Sequence, residues 1–266
     1  MPLVTVNRAS LYYEESGAGV PIVFSHGLLW SGRMYEPQVA ALRASHRCIT
    51  YDHRGQGQSP VSREPYDMER LYEDAVALIE HLGATPCHFV GLSMGGFVGL
   101  RVAARRPELL RSLTIIESAA DTEPRLNIPK YRAMAFFARY FGYRLLLRPI
   151  MKVMFGSRFL ADRARRAERE ALEQWLLALD IQGTQAALES VISRRGVEDE
   201  LARIRLPTLV LHGESDRAIV PPRARRTAAK IPGAKLVLIP HAGHTSTLEE
   251  PAAITRELIA FFQKLA

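Results

Sequence analysis

The chain has 266 residues, 47% of them hydrophobic and 24% charged, a balance that excludes a disordered polypeptide and allows a sizeable core. Its formal net charge is +7, and residues 121–195 hold 14 Lys and Arg against 8 Asp and Glu, which accounts for most of the excess. Those charges interleave with apolar residues and no nucleic-acid-binding signature accompanies them, so solvated helix faces are the favoured reading, an anionic substrate comes second, and nucleic acid or a membrane surface a distant third.

The N-terminal "LVTVN" and "SLYYEES" predict an antiparallel hairpin at one edge of a sheet. This stretch lacks the basic start and apolar run of a signal peptide, and no segment has the roughly 20 apolar residues of a spanning helix, so a cytoplasmic protein is expected. "PIVFSHG", "RCITYD", "PCHFVGL" and "SLTIIES" follow as apolar strands, alternating with helical stretches such as residues 71–82. Cys48 and Cys87 lie inside two of these runs and are expected to be buried thiols rather than a disulfide. After Ser118 the alternation stops. Residues 121–196 carry helical spacing only, with breakers expected at Pro129, Gly142, Pro149, Gly156 and Gly183. Strands return at "LPTLVLHGESD" and "AKLVLIPHAGH", and "PAAITRELIAFFQKL" closes the chain as an amphipathic helix. The pattern predicts an α/β fold with a mostly parallel sheet wrapped by helices. Its core comprises residues 1–120 and 197–266, interrupted by a helical insertion over 121–196.

Gly91-Leu92-Ser93-Met94-Gly95 fits G-x-S-x-G between a strand and a helix. A turn too tight for side chains lifts one hydroxyl above the sheet edge, and the following helix points free N–H groups at the same spot. A serine used in this way needs a histidine base and an acid to orient it. Among eight histidines, His244 lies in a loop just past the last strand, with His241 as its main competitor. His26 and His212 sit in turns where capping is expected, His53 belongs to a loop near the site, and His46, His81 and His88 read as surface or strand-edge residues. Asp216 follows the strand before that of His244, which gives the order Ser, Asp, His; Glu117, at the end of "LTIIES", is the competing acid, and a solvated loop carboxylate is the plain alternative for Asp216. Asp52 and Arg54 read as a turn-fixing pair. Trp30, Met94, Phe136, Phe137, Phe141 and Trp175 are weighed as lining of an acyl pocket, against ordinary packing, which is favoured for each singly.

"FSHGLL", "YDHRGQGQS", "FVGLSMGG", "PTLVLHGESD" and "AGHTSTLEEP", in that order, resemble the motifs of the α/β-hydrolase family over nearly all of the chain outside the insertion. The elbow and histidine loop are most similar to the 3-oxoadipate enol-lactonase and esterase branch, while the His-Gly of "SHGLL" is closer to general esterases. The resemblance implies Ser93 as nucleophile, Asp216 as acid, His244 as base, an oxyanion hole from the backbone amides of Leu28 and Met94, and a helical cap in the insertion. The expected substrate is a small to medium carboxylic ester or lactone. C–C bond hydrolases and cofactor-free perhydrolases share the triad, and a catalytically silent binding member of the fold is the remaining alternative. Serine at the elbow disfavours haloalkane dehalogenases and epoxide hydrolases, whose nucleophile is an aspartate. No nucleotide-binding motif or metal-ligand spacing is present, so no cofactor and no metal are expected, and neither nucleic acid nor a membrane is an expected partner. The oligomeric state stays open.

Overall fold

The strand-like runs form β1 (Leu3–Val6), β2 (Ala9–Ser16), β3 (Val20–Ser25), β4 (His46–Tyr51), β5 (Cys87–Leu92), β6 (Leu110–Ile116), β7 (Thr208–Gly213) and β8 (Lys235–Ile239). The computed structural model, which describes residues 2–62, 64 and 66–265, joins them in one sheet in the order β1-β2-β4-β3-β5-β6-β7-β8. β1 and β2 pair antiparallel at the edge, β2 is also antiparallel to β4, and the remaining neighbours are parallel.

Helices α1 (Glu36–Leu42), α2 (Met68–His81) and α3 (Met94–Arg105) connect the first strands. Between β6 and β7 lie only helical elements, among them α4 (Ile128–Phe141), α5 (Leu147–Met154), α6 (Ser157–Ala161), α7 (Arg166–Leu177) and α8 (Ile181–Ile192). α9 (Pro221–Lys230) follows β7, and α10 (Ser246–Glu249) and α11 (Pro251–Phe262) follow β8.

Period-two alternation divides the core into two layers. Val23, Phe89, Leu113 and Val210 face α2, α3 and α9, whereas Ile22, Phe24, Val90 and Leu211 face α1, α5 and α11. β5 and β7 are buried at every residue, as strands covered on both faces must be. Cys48 and Cys87 are free, buried thiols.

Three local expectations are corrected. Pro129 and Pro149 begin helices rather than end them, because each sits in a first turn where the missing N–H has no intrahelical acceptor to lose. Gly183 lies inside α8, where a Cβ would stand 1.8 Å from the Gly55 carbonyl oxygen; it is a contact glycine, not a breaker. His88, expected at a surface or strand edge, is buried in central β5 with Nδ1 2.7 Å from Ser112 Oγ.

The sheet order reverses at β3: the chain goes to β4 on one side and then to β5 on the other. Such a switch opens a crevice at the carboxyl ends of the strands. Because Ser25 pairs with Gly91, the loops after β3 and β5 emerge side by side.

Candidate active site

Ser93 stands at the tip of the β5–α3 turn with φ 49° and ψ −109°, a left-handed conformation that a non-glycine residue adopts only when its surroundings impose it. The surroundings are close backbone contacts. A Cβ on Gly91 would lie 2.2 Å from the Gly95 carbonyl oxygen, and one on Gly95 would lie 1.9 Å from that of Ser25. The Ser93 amide donates to the Ile116 carbonyl at 2.8 Å, which ties the turn to the neighbouring strand end.

His244, in the loop after β8, places Nε2 2.9 Å from Ser93 Oγ and Nδ1 2.8 Å from Asp216 Oδ2. A carboxylate can only accept, so Nδ1 carries the proton and Nε2 presents its lone pair to the Ser93 hydroxyl. The other Asp216 oxygen accepts from the amides of Ala218 at 2.8 Å and Ile219 at 3.0 Å, and the carboxylate is thereby fixed in direction. His212, expected in a turn, lies within β7; its Nε2 donates to the Ile219 carbonyl at 2.7 Å, and burial pushes its pKa down, keeping the ring neutral beside Asp216.

The competitors lie elsewhere. Glu117 is fully buried, and its Oε1 accepts from the Gly213 amide at 2.9 Å rather than meeting His244. Burial, and then the nearby Asp216 charge, hold its carboxyl well above the usual range. His241 is exposed, with φ 65° at the turn after β8.

The loop after β3 is fixed by a histidine that the sequence suggests only as a cap. His26 Nδ1 donates to the Gly27 carbonyl at 2.7 Å, and Nε2 accepts from the His53 amide at 2.9 Å; burial lowers its pKa, as a neutral ring with one donor and one acceptor requires. The Trp30 amide donates to the same Gly27 carbonyl at 3.2 Å. The Gly27 C=O and Leu28 N–H belong to one planar trans peptide, so holding the carbonyl on one side aims the amide to the other. A Cβ on Gly27 would lie 3.4 Å from that of Ser93, and Leu28 lines the same cavity as Ser93 and His244. Met94 opens α3, where its N–H has no intrahelical acceptor.

Asp52 and Arg54 do fix structure, but not as a pair. Asp52 accepts from the amides of Gly32 and Gln58, both at 2.7 Å, while Arg54 forms a buried two-bonded ion pair with Asp74.

Above Ser93 is a cavity of about 130 Å³. Met134 and Ala138 of α4, Ile150 and Met154 of α5, and Leu188 and Val191 of α8 line it, with Leu28 and Phe97 from the core. None of the six aromatic and methionine residues weighed from the sequence is among its lining: Trp30 and Met94 are core, Trp175 packs on Trp30 at 5.4 Å, and Phe136, Phe137 and Phe141 face solvent. Glu123 is the acidic side chain in the lining, bonded to Asn127 at 2.8 Å and to Arg194 at 3.2 Å.

One further carboxyl was not legible in the sequence. Glu249 accepts from the Gly243 amide, next to His244, at 2.9 Å and from the Gly156 amide, between α5 and α6, at 2.7 Å. Burial pushes its pKa up to about 7.

A nucleophile elbow over the carboxyl edge of a parallel sheet, with an acid and then a histidine supplied by later strand ends, defines a class of α/β enzymes. The chain belongs to the α/β-hydrolase family: residues 20–251 match the family described as the alpha/beta hydrolase fold. It is 33% identical, over 90% of its length and 92% of the relative's, to a protein of Pseudomonas savastanoi named as the carbamate hydrolase RutD. It is similar to the enol-lactonase of Burkholderia xenovorans, with TM-score 0.90, 29% identity and coverage of 98% of this chain and 100% of the other. A thermophilic esterase from Thermogutta terrifontis superposes with TM-score 0.91 at 26% identity, covering 99% of this chain and 98% of the other.

Proposed function

We propose that the protein is a serine hydrolase that cleaves an uncharged carboxylic ester or lactone of small to medium size through an acyl-enzyme. The observation that carries this reading is the continuous chain from Asp216 through His244 to Ser93, with contacts of 2.8 and 2.9 Å. His244 takes the hydroxyl proton as Ser93 Oγ attacks the carbonyl carbon, and Asp216 stabilises the imidazolium that forms. The amides of Leu28 and Met94 hold the oxyanion, a contribution of about 3 kcal/mol per donor in comparable sites. Collapse of the tetrahedral species breaks the C–O bond, and His244 returns its proton to the leaving alcohol. Water, deprotonated by the same histidine, then releases the acid and restores Ser93.

The lining supports the choice of substrate. It is aliphatic and aromatic apart from the site itself and a few polar groups, and it offers no Lys or Arg to an anionic substrate, while its carboxylate, Glu123, is paired with Arg194. The volume suits a short acyl chain or a single ring. We read residues 121–196 as a cap, since α4, α5 and α8 supply most of that lining.

The test is labelling with a fluorophosphonate, together with turnover of p-nitrophenyl esters and simple lactones. Ser93 should be the labelled residue, and Ser93→Ala should abolish both labelling and turnover. Labelling of another serine, or full activity in the variant, would sink the assignment.

A further inference from the structure

The inner side of α4 roofs the cavity, but its outer side is also apolar. Six of the eight large hydrophobic side chains exposed among the described residues lie within twenty positions: Leu126 at 93%, Phe136 at 56%, Phe137 at 48%, Tyr140 at 62%, Phe141 at 58% and Leu145 at 69%. The rings form one ridge, with Phe136 4.7 Å from Tyr140 and 5.9 Å from Phe137, which is 5.9 Å from Phe141. A contiguous exposed apolar ridge marks an interaction surface.

Charge identifies the partner. Residues 124–161 contain eight Lys and Arg and not one Asp or Glu. Lys130, Arg139, Arg144 and Arg148 are exposed beside the ridge. Among the described residues of this segment, Arg132 alone enters an ion pair, with Glu189 of α8. A second copy of the chain fits poorly, because a symmetric contact would set this cationic face against itself. The shallow groove between α4 and α8, lined by Phe136, Arg139 and Tyr140, carries Glu189 on its other wall, a carboxylate that a nucleic acid strand would meet. Exposed aromatic rings flanked by unpaired cations match a surface that is apolar below and negatively charged above.

We propose that the outer face of α4 and the turn after it dock on an anionic lipid surface, with the rings entering the acyl boundary and the cations on the headgroups. The sequence gives solvated helix faces as the favoured reading because the charges interleave with apolar residues; only the helix orientation reveals that rings and cations share the outward side. The proposal does not depend on which bond the enzyme cleaves. A helix docked in this way would bring the cavity beneath it close to substrates that partition into lipid.

The test is flotation of the full chain with vesicles of phosphatidylglycerol and phosphatidylcholine, and with phosphatidylcholine alone. Binding is expected to the anionic vesicles, falling as salt is raised. Phe137→Ser with Phe141→Ser, and separately Arg139→Glu with Arg144→Glu, should each weaken it at least about tenfold. The melting temperature and the hydrolysis of a water-soluble ester should stay unchanged, which separates docking from folding and from chemistry. No binding to anionic vesicles at low salt would overturn the proposal. So would binding that both double variants retain, or a dimer that depends on Phe137 and Phe141 in a protein that ignores vesicles.

Discussion

His244 Nδ1 stands 2.8 Å from Asp216 Oδ2, and the opposite oxygen of that carboxylate is already held by two backbone amides. The carboxylate is therefore pre-aimed at the ring, which has one tautomer open to it. Asp216→Asn should place a hydrogen-bond donor against Nδ1–H and force the other tautomer, a change that cost about 10⁴ in kcat in a comparable triad. Glu117 bonds the Gly213 amide and makes no contact with His244, so Glu117→Gln should cost about tenfold or less. Steady-state kinetics of both variants on one ester, with circular dichroism to confirm folding, compare the two acids directly. A larger loss in Glu117→Gln would reverse their roles.

The two histidines of the β8 loop give a simpler contrast. His244→Ala should remove nearly all turnover, whereas His241→Ala alters an exposed turn and should leave most of it. If His241→Ala proves the inactive variant, the base has been misassigned.

His26 touches the Gly27 carbonyl and the His53 amide, so its expected effect on activity runs through the position of Leu28. Its loss would free the Gly27 carbonyl on one side and leave the buried His53 amide without an acceptor. The Leu28 donor would then wander, so His26→Ala should lower kcat by about ten- to a hundredfold, less than complete removal of an oxyanion donor, with KM little changed. His26→Asn, which keeps a donor and an acceptor, should recover part of the loss. A rise in KM at constant kcat would assign His26 to substrate binding instead.

Glu249 gives a pH dependence with a definite sign. Its folded pKa is raised to about 7, above the ordinary carboxyl range, so its stabilising contribution is complete at low pH and is lost as pH rises through about 7. Glutamine does not titrate. The stability gap between the wild type and Glu249→Gln should thus be widest below about pH 4.5 and narrow as pH rises past 7, by a total of roughly 3 kcal/mol. The buried histidines His26, His53, His88 and His212, whose pKa values burial lowers, shift stability the other way but are common to both proteins and cancel. Denaturant melts of the two proteins at four pH values read the gap, and a constant gap would contradict the expected titration.

Local chemistry made the framework legible. Continuous apolar runs mark strands covered on both faces, and G-x-S-x-G needs its glycines because no side chain fits between Gly91, Gly95 and Ser25. These features depend on neighbours along the chain or on backbone sterics, so the strands, the edge hairpin and the tight turn at Ser93 could be read from the sequence by itself, whereas the order of the strands in the sheet could not. The partners could not be fixed in that way. His244 meets Ser93 across 151 residues, and nothing local distinguishes it from His241, or Asp216 from Glu117, until the strand ends are set side by side. Glu249 joins Gly156 to Gly243 only because two distant backbones touch. The same holds for α4, whose spacing shows that it is a helix but not which face looks inward. Tertiary packing turned Met134 and Ala138 toward the cavity and the phenylalanines toward solvent, since a helix laid over a pocket can bury only the side that meets it.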